Sequence, residues 1–291
     1  MDFVLSALVH TTPLLITGLA VALAFRGGVW NIGAEGQFYA GAVVATWIGT
    51  RWGLGWSLAA LLVIPLAAAL AGALWAGVPA LLKSRFGVLE VITTIMLNFV
   101  AEYLVGFLVH GPLQEAGHTY PQSDPISHAA RLSPLFFGSR LTIAFPAAVV
   151  VAVLLWLFLT RTRPGFALRA VGYNPQAARV SGRIPIGRVT ALAFLASGAL
   201  AGLAGAAEVC GVTFALYEKL SPGYGYTAIA VALLARLHPL WLVGSALFFG
   251  TLEALAASLQ RTAGIPSVTV YAVEAMVILV IVALERRRTH G

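Results

Sequence analysis

The chain has 291 residues, 59% of them hydrophobic and only 10% charged, with a formal net charge of +7 and a mean hydropathy of +0.90. Globular domains carry about 25% charged residues, and Lys83 and Lys219 are the only lysines, so most of the chain cannot build a water-facing helical surface. The positive charges sit in short segments between apolar runs, as membrane topogenesis requires, which argues against a nucleic-acid partner. The lone Cys210 excludes an intramolecular disulfide and a cysteine zinc site and reads as a small buried hydrophobe.

Spanning a bilayer takes about 20 apolar residues. On that criterion the chain is all-α, a polytopic transmembrane bundle of about eight to ten spans within one domain over 1–291. Nine candidates follow in order: 3–25, 34–50, 57–82, 88–110, 141–160, 190–212, 224–238, 240–262 and 266–285. The first has no basic residue before it and runs on to Phe25, so it reads as a span and not as a cleavable signal. The second is short and glycine-rich. The seventh is too short to cross comfortably and ends at Arg236-Leu237-His238-Pro239, where proline stops the helix.

Nine spans place 13 basic residues on one side, among them Arg26, Arg236 and six arginines from Arg161 to Arg188, and five on the other. The richer side is expected to be cytoplasmic and to hold the C-terminus. Residues 111–140, with Pro112, Pro121, Pro125 and Pro134, read as an irregular cap on the opposite side. Residues 161–189 form a cytoplasmic loop in which Asn174 followed by Pro175 is an N-cap with proline at the first helical position, and Gly182 is a stop. A helix of about two turns is expected there. A loop holding lipid headgroups through its arginines is the competing reading, and the residues alone leave both open.

The halves of the chain are weakly alike and inverted. Gly27-Gly28-Val29-Trp30-Asn31-Ile32-Gly33 opens the second span, and Pro222-Gly223-Tyr224-Gly225-Tyr226 opens the seventh. Glycine-interrupted segments in corresponding positions point to a transporter's substrate path, although glycines also serve close helix packing. Ionisable and polar groups inside spans need protein or water around them. Asn31, Glu35 and Gln37 lie beside the first break, and Tyr224 lies in the second. Glu90, Thr94, Asn98 and Glu102 recur every fourth residue along the fourth span, with Thr93 adjacent. Asn31, Glu35, Gln37, Thr93, Asn98 and Tyr224 are the candidate path residues. A structural bridge between helices is the competing reading for each of these and for Glu208, and it is the expected one for Glu253 and Glu274.

Catalytic and metal signatures are missing. Gly77-Val-Pro-Ala-Leu-Leu82-Lys83-Ser84 imitates a phosphate-binding loop but has Leu82 where the second glycine must stand, and it ends a span. Asp2 and Asp124 are the only aspartates and neither lies in a span, which excludes an intramembrane aspartyl dyad. No nucleophile constellation, metal site or ATP site of its own is expected.

Gln176-Ala177-Ala178-x-x-x-Gly182 followed by Ile184-Pro185 resembles the E-A-A-x-x-x-G loop of ABC-importer permeases, with glutamine replacing glutamate. Asn31-Ile-Gly-Ala-Glu35-Gly36-Gln37 is similar to a signature of the ribose/branched-chain amino acid type of permease. Phe86-Gly87-Val-Leu-Glu90-Val-Ile-Thr93-Thr94-Ile-Met96-Leu-Asn98, Tyr120-Pro121-Gln122-Ser123, Gly198-Ala-Leu-Ala-Gly202-Leu-Ala-Gly205 and Ser221-Pro222-Gly223-Tyr224-Gly225 resemble its nucleoside and simple-sugar branch. The similarity runs from about residue 12 to 285, and Ala235 departs from an expected glycine. The resemblance implies a non-enzymatic permease subunit in a bacterial inner membrane. It implies four kinds of partner: ATP-binding subunits that hold ATP and magnesium, a second permease chain in a heterodimer, a periplasmic or lipoprotein substrate-binding protein, and membrane lipid. It makes Asn174, Pro175, Ala177, Ala178 and Gly182 the contacts that couple this chain to the ATPase. Two alternatives differ in mechanism: a proton-coupled secondary transporter using Glu90 or Glu102, and an intramembrane lipid-modifying enzyme.

Overall fold

A computed structural model describes residues 2–51, 57–136, 138–180 and 184–263, together with residues 272 and 276. The regular elements of its described part are helices: α1 (Asp2–Arg26), α2 (Ala34–Arg51), α3 (Ser57–Phe86), α4 (Glu90–Val109), α5 (Ala144–Arg161), α6 (Arg163–Tyr173), α7 (Pro175–Val180), α8 (Ile186–Glu208), α9 (Tyr224–Leu234) and α10 (Pro239–Ala263). Among the described residues, six helices are long and apolar enough to cross a membrane: α1, α3, α4, α5, α8 with its extension to Thr213, and α10. The chain is a multi-pass membrane protein. The expected ninth span, 266–285, lies outside the described residues.

α1 and α8 form the centre, and α3, α4 and α5 are mostly exposed along their outer faces. The contacts around α8 need residues without side chains. A Cβ on Gly198 would meet the Gly72 backbone and the Ala76 methyl of α3, and one on Gly202 would meet Ala68 and Gly72. Gly41 of α2 presses on Gly202 from the other side. Two helices thus touch α8 backbone to backbone, the close approach that small residues permit where lipid supplies no hydrophobic drive. α8 then runs into a π-helical turn, Val209–Thr213, directly after Glu208.

The phosphate-loop imitation over 77–84 is continuous helix ending α3, as its place at the end of a span requires. Two expectations shift. The seventh span is only 11 residues long because the chain turns at Arg236 and Leu237, which adopt left-handed φ of 51° and 57°. Pro239 therefore starts α10 instead of ending α9. The arginine loop holds two helices, α6 and α7, where one was expected. Thr162 caps α6 by accepting from the Gly165 N–H at 3.1 Å, with Pro164 in the first turn.

Arg26, Arg236, α6 and α7 cluster at one end of the bundle, the basic end; residues 110–143 and 214–223 close the opposite, loop end. As the prolines suggest, 111–140 is irregular apart from one 3-10 turn, His128–Ala130. It is stitched to the segment after α8 by backbone bonds Ser123 N–H to Leu216 O (2.7 Å), Ile126 N–H to Phe214 O (2.8 Å) and Leu132 N–H to Cys210 O (2.8 Å).

Candidate functional site

The two glycine breaks do more than interrupt two spans. They bring the starts of α2 and α9 together inside the bundle. A Cβ on Gly225 would lie 2.6 Å from the Glu35 Cα, so only glycine admits the contact. Each helix start leaves backbone N–H groups that water cannot reach in a membrane, and polar side chains meet them. The Glu35 carboxylate accepts the Gly225 N–H at 2.6 Å and lies beside the Ser221 hydroxyl. That hydroxyl in turn accepts the N–H groups of Gly223 (3.1 Å) and Tyr224 (2.9 Å). Asn98 of α4 accepts the Gly36 N–H at 2.9 Å and donates to the Ile32 carbonyl at 2.9 Å. One side chain therefore ties the end of the first break to the first turn of α2. A carboxylate placed where two positive helix ends converge is also stabilised by their dipoles.

Asn31 and Gln37 form a second layer. Their amides pair reciprocally at 3.0 Å in each direction. Asn31 also donates to the Ser197 hydroxyl of α8 at 2.9 Å and accepts the Gly33 N–H at 3.0 Å. Asn31, Glu35, Gln37, Asn98 and Tyr224 are all buried. Five of the six sequence-selected path residues thus belong to one interior region, engaged with each other or with neighbouring helices. Thr93 stands apart: it is half-buried and its hydroxyl bonds back to the Glu90 carbonyl of its own helix at 3.1 Å. The buried stripe of α4 is Glu90, Thr94 and Asn98, whereas Glu102 is exposed.

Sequence reasoning selected Tyr224 and passed over Tyr226. Two residues on a helix turn about 200°, so the two phenols point oppositely. Tyr224 faces inward, its hydroxyl 3.2 Å from His10 Nδ1 and its ring against Phe38. Tyr226 accepts from the Asn98 amide at 3.2 Å and remains 42% exposed. It is the point at which the interior network reaches the surface. Glu102 lies within charge-interaction range of both Tyr226 and Glu35, and Met96, Phe99 and Tyr103 are exposed on the same helix. The signal for Tyr226 was its helical phase relative to Tyr224. Ser197 and Ser221 carried no such signal.

Glu90 is ion-paired with Lys83 across the turn between α3 and α4. Glu208 and Glu253 are buried, and Glu253 has an interaction partner; Glu274 lies outside the described residues.

At the basic end, Asn174 caps α7 as expected, its Oδ1 accepting the N–H groups of Gln176 and Ala177 at 3.0 Å each. Pro175 opens the helix and Ala178 is its buried residue. Gly182 lies outside the described residues. Tyr173 and Val180, each 88% exposed, flank α7 and present apolar surface away from the bundle.

The sequence model of the family described as branched-chain amino acid transport system / permease component matches residues 3–283. The chain is 38% identical over 293 residues to the glucose ABC transporter permease protein TsgB13 of Haloferax volcanii, covering 96% of this chain and 75% of that one. It is 37% identical to the guanosine ABC transporter permease protein NupP of Bacillus subtilis, over 92% of this chain and 77% of the relative. It is 33% identical to the nucleoside ABC transporter permease protein NupB of Lactococcus lactis, over 92% and 76%.

Proposed function

The chain belongs to this family and is the membrane-spanning permease of an ABC importer, and we propose that its cargo is a nucleoside or a simple sugar. The observation that carries the proposal is the Asn98–Tyr226 pair, through which a buried network of neutral amides holds a half-exposed aromatic ring at the surface. Such a surface suits an uncharged, hydroxyl-rich solute: the phenol exchanges hydrogen bonds with its hydroxyls, and the ring stacks on a base or on the apolar face of a sugar. The names of the relatives, glucose, guanosine and nucleoside permeases, point to the same cargo class.

In this reading the exposed wall of α4 and α9 is one side of the path, running past Glu102, Tyr226 and Thr93. A second permease chain supplies the other side. Asn31, Glu35, Gln37 and Asn98 set the wall's shape from behind, and Tyr224 locks α9 to α1. The basic end faces the cytoplasm of a bacterial inner membrane, in keeping with the arginine asymmetry, and carries the C-terminus. A periplasmic or lipid-anchored binding protein delivers cargo at the loop end. Asn174, Pro175, Ala177, Ala178 and Gly182 present α7 to a partner that holds ATP and magnesium and hydrolyses the nucleotide. Closure of that partner moves α7 and switches access from one side to the other. Glu90 is unsuited to a proton-carrying role in this scheme because Lys83 holds its carboxylate.

The test is uptake of radiolabelled nucleoside and of radiolabelled glucose by cells that lack their own importers and express the complete transporter. ATP-dependent accumulation of one of them, reduced by Tyr226→Ala at equal membrane level, is expected. Accumulation of neither solute, or a Tyr226→Ala variant that transports normally, contradicts the assignment.

A further inference from the structure

A second site lies at the basic end, apart from the polar junction. α1 ends at Arg26, α9 ends at Leu234 and α10 begins at Pro239, and between them is a crevice of about 620 Å³. That is within the range of about 300–1,000 Å³ usual for ligand pockets. Arg26, Arg236 and His238 line it on the polar side, and among the described residues its lining holds no acidic one. Arg26 is fixed there: its guanidinium donates to the Leu237 carbonyl at 3.1 Å and the Arg236 carbonyl at 3.4 Å. Among the described residues Arg26 forms no ion pair. The left-handed turn at Arg236 and Leu237 holds the opposite wall. His238 Nδ1 is enclosed without a hydrogen-bond partner. The first turn of α10, with its positive dipole end, starts at the same place.

The crevice has an apolar side as well. Trp241, Gly244 and Phe248 also line it and follow one another at helical spacing along α10. Trp241 is 73% exposed and Phe248 is also exposed. Between them a Cβ on Gly244 would touch nothing within 4 Å, so the glycine leaves a notch. A basic mouth therefore opens onto an apolar groove that continues along a membrane-crossing helix. Tryptophan at the junction suits the level of the headgroups.

We propose that this crevice binds an anionic phospholipid, with its phosphate among Arg26, Arg236 and His238 and an acyl chain in the groove over Gly244. Basic pockets between transmembrane helices are the usual seat of anionic headgroups. A free phosphate would use the arginines but leave the groove without a role. Burial first, and the Arg26 charge second, hold the His238 imidazole below its ordinary range; an anion in the crevice offsets both. The site also adjoins the coupling segment, because Gly172 of α6 packs on the backbone of Arg26.

The complete transporter, purified and reconstituted in phosphatidylcholine nanodiscs with and without phosphatidylglycerol, provides the test. Native mass spectrometry reads the phosphatidylglycerol retained. Wild type is expected to retain it, and Arg236→Gln to weaken retention about fivefold, the loss of about 1 kcal/mol for one arginine near a membrane surface. Gly244→Leu, which fills the notch, and His238→Ala are expected to weaken retention also. Melting in pure phosphatidylcholine identifies any variant that fails to fold. Equal retention by wild type and folded Arg236→Gln overturns the site. Displacement of phosphatidylglycerol by millimolar inorganic phosphate, or retention unaffected by Gly244→Leu, shows a simple anion site and overturns the lipid assignment.

Discussion

Replacing Asn98 by alanine removes the side chain that ties the end of the first break to α2 and separates its structural role from transport. The Gly36 N–H and the Ile32 carbonyl, bonded to Asn98 at 2.9 Å each, would both be left inside the bundle without partners. Each such group costs about 1–3 kcal/mol. Relaxation of the break recovers part of that, since hydrogen bonds between membrane helices couple by only about 0.6 kcal/mol on average. A net loss of about 2–4 kcal/mol follows, or about 6–12 °C in melting temperature for a chain of this size. Tyr226→Phe removes only the 3.2 Å bond from a half-exposed phenol and should leave melting nearly unchanged. The phenol faces the proposed path, so uptake at equal membrane level should nevertheless fall about 2- to 10-fold, the worth of one hydrogen bond. The assay pairs thermal melting of the purified permease with radiolabelled uptake, for both single variants and the double variant. Wild-type melting of Asn98→Ala would refute the bridging role. Parallel losses of melting and uptake in Tyr226→Phe would place that residue in the interior network and remove it from the path.

Three further perturbations address other parts of the molecule. Asn174→Ala leaves the N–H groups of Gln176 and Ala177 without their acceptor and costs about 1 kcal/mol of cap energy; transport-linked ATPase activity should drop while melting of the bundle holds, and unchanged ATPase stimulation would show that α7 does not couple. Gly225→Ala puts a methyl group into the Glu35 backbone; overpacking of about 1–3 kcal/mol should lower the melting temperature, and a wild-type value would mean that α2 and α9 do not meet as described. At the loop end, the Glu115 carboxylate accepts from the Gln122 side chain at 2.7 Å and the Tyr120 N–H at 3.0 Å. These bonds hold its pKa below the ordinary carboxylate value, so its support for the loop is present above that value and lost as pH falls through the lowered one. Protection of the amides of residues 115–122, taken relative to their intrinsic exchange rate at each pH, should fall on acidification, and Glu115→Gln should flatten that response; an identical pH response in the variant would exclude Glu115 as its source.

The long spans were legible because run length alone decides them: α1, α3, α4 and α10 depart from the expected limits by only a few residues at either end. The exceptions have local causes. α9 stops at Leu234 because Arg236 and Leu237 take a left-handed turn, a conformation that no residue type at those positions announces. α6 escaped detection because its residues, Arg163–Tyr173, mix charge with apolar character, although Thr162 and Pro164 marked its start. The Gly198, Gly202 and Gly205 series was visible in sequence, but its partners Gly72, Gly41 and Phe38 lie on other helices. The site followed the same rule. Composition picked out Asn31, Gln37 and Asn98 as costly in a membrane, whereas the partners that satisfy them lie 6 to 166 residues away in sequence. A polar residue in a span signals a need for partners without saying whether those partners are protein or cargo.

That distinction bears on how motion at α7 could reach the path. α6 joins α7 to the bundle, and its Gly172 rests on the backbone of Arg26 and on Gly28, whose φ is 71°. Three residues after Gly28, Asn31 enters the amide pair with Gln37, and Glu35 then meets Gly225. The coupling segment therefore touches the first break at its basic end, while Asn98 and Ser197 hold the other end. A helix interior resists a push along its axis. Residues 27–33, irregular backbone held by local turns onto the end of α1 and by the Asn31 and Asn98 amides, form the softer connection between α1 and α2. Displacement of α6 would be taken up there, and it would change the angle at which α2 meets α9. In the proposed scheme the buried amides would act as the joint, and the exposed phenol of Tyr226, tied to Asn98, would carry the change in that joint to the wall assigned to cargo.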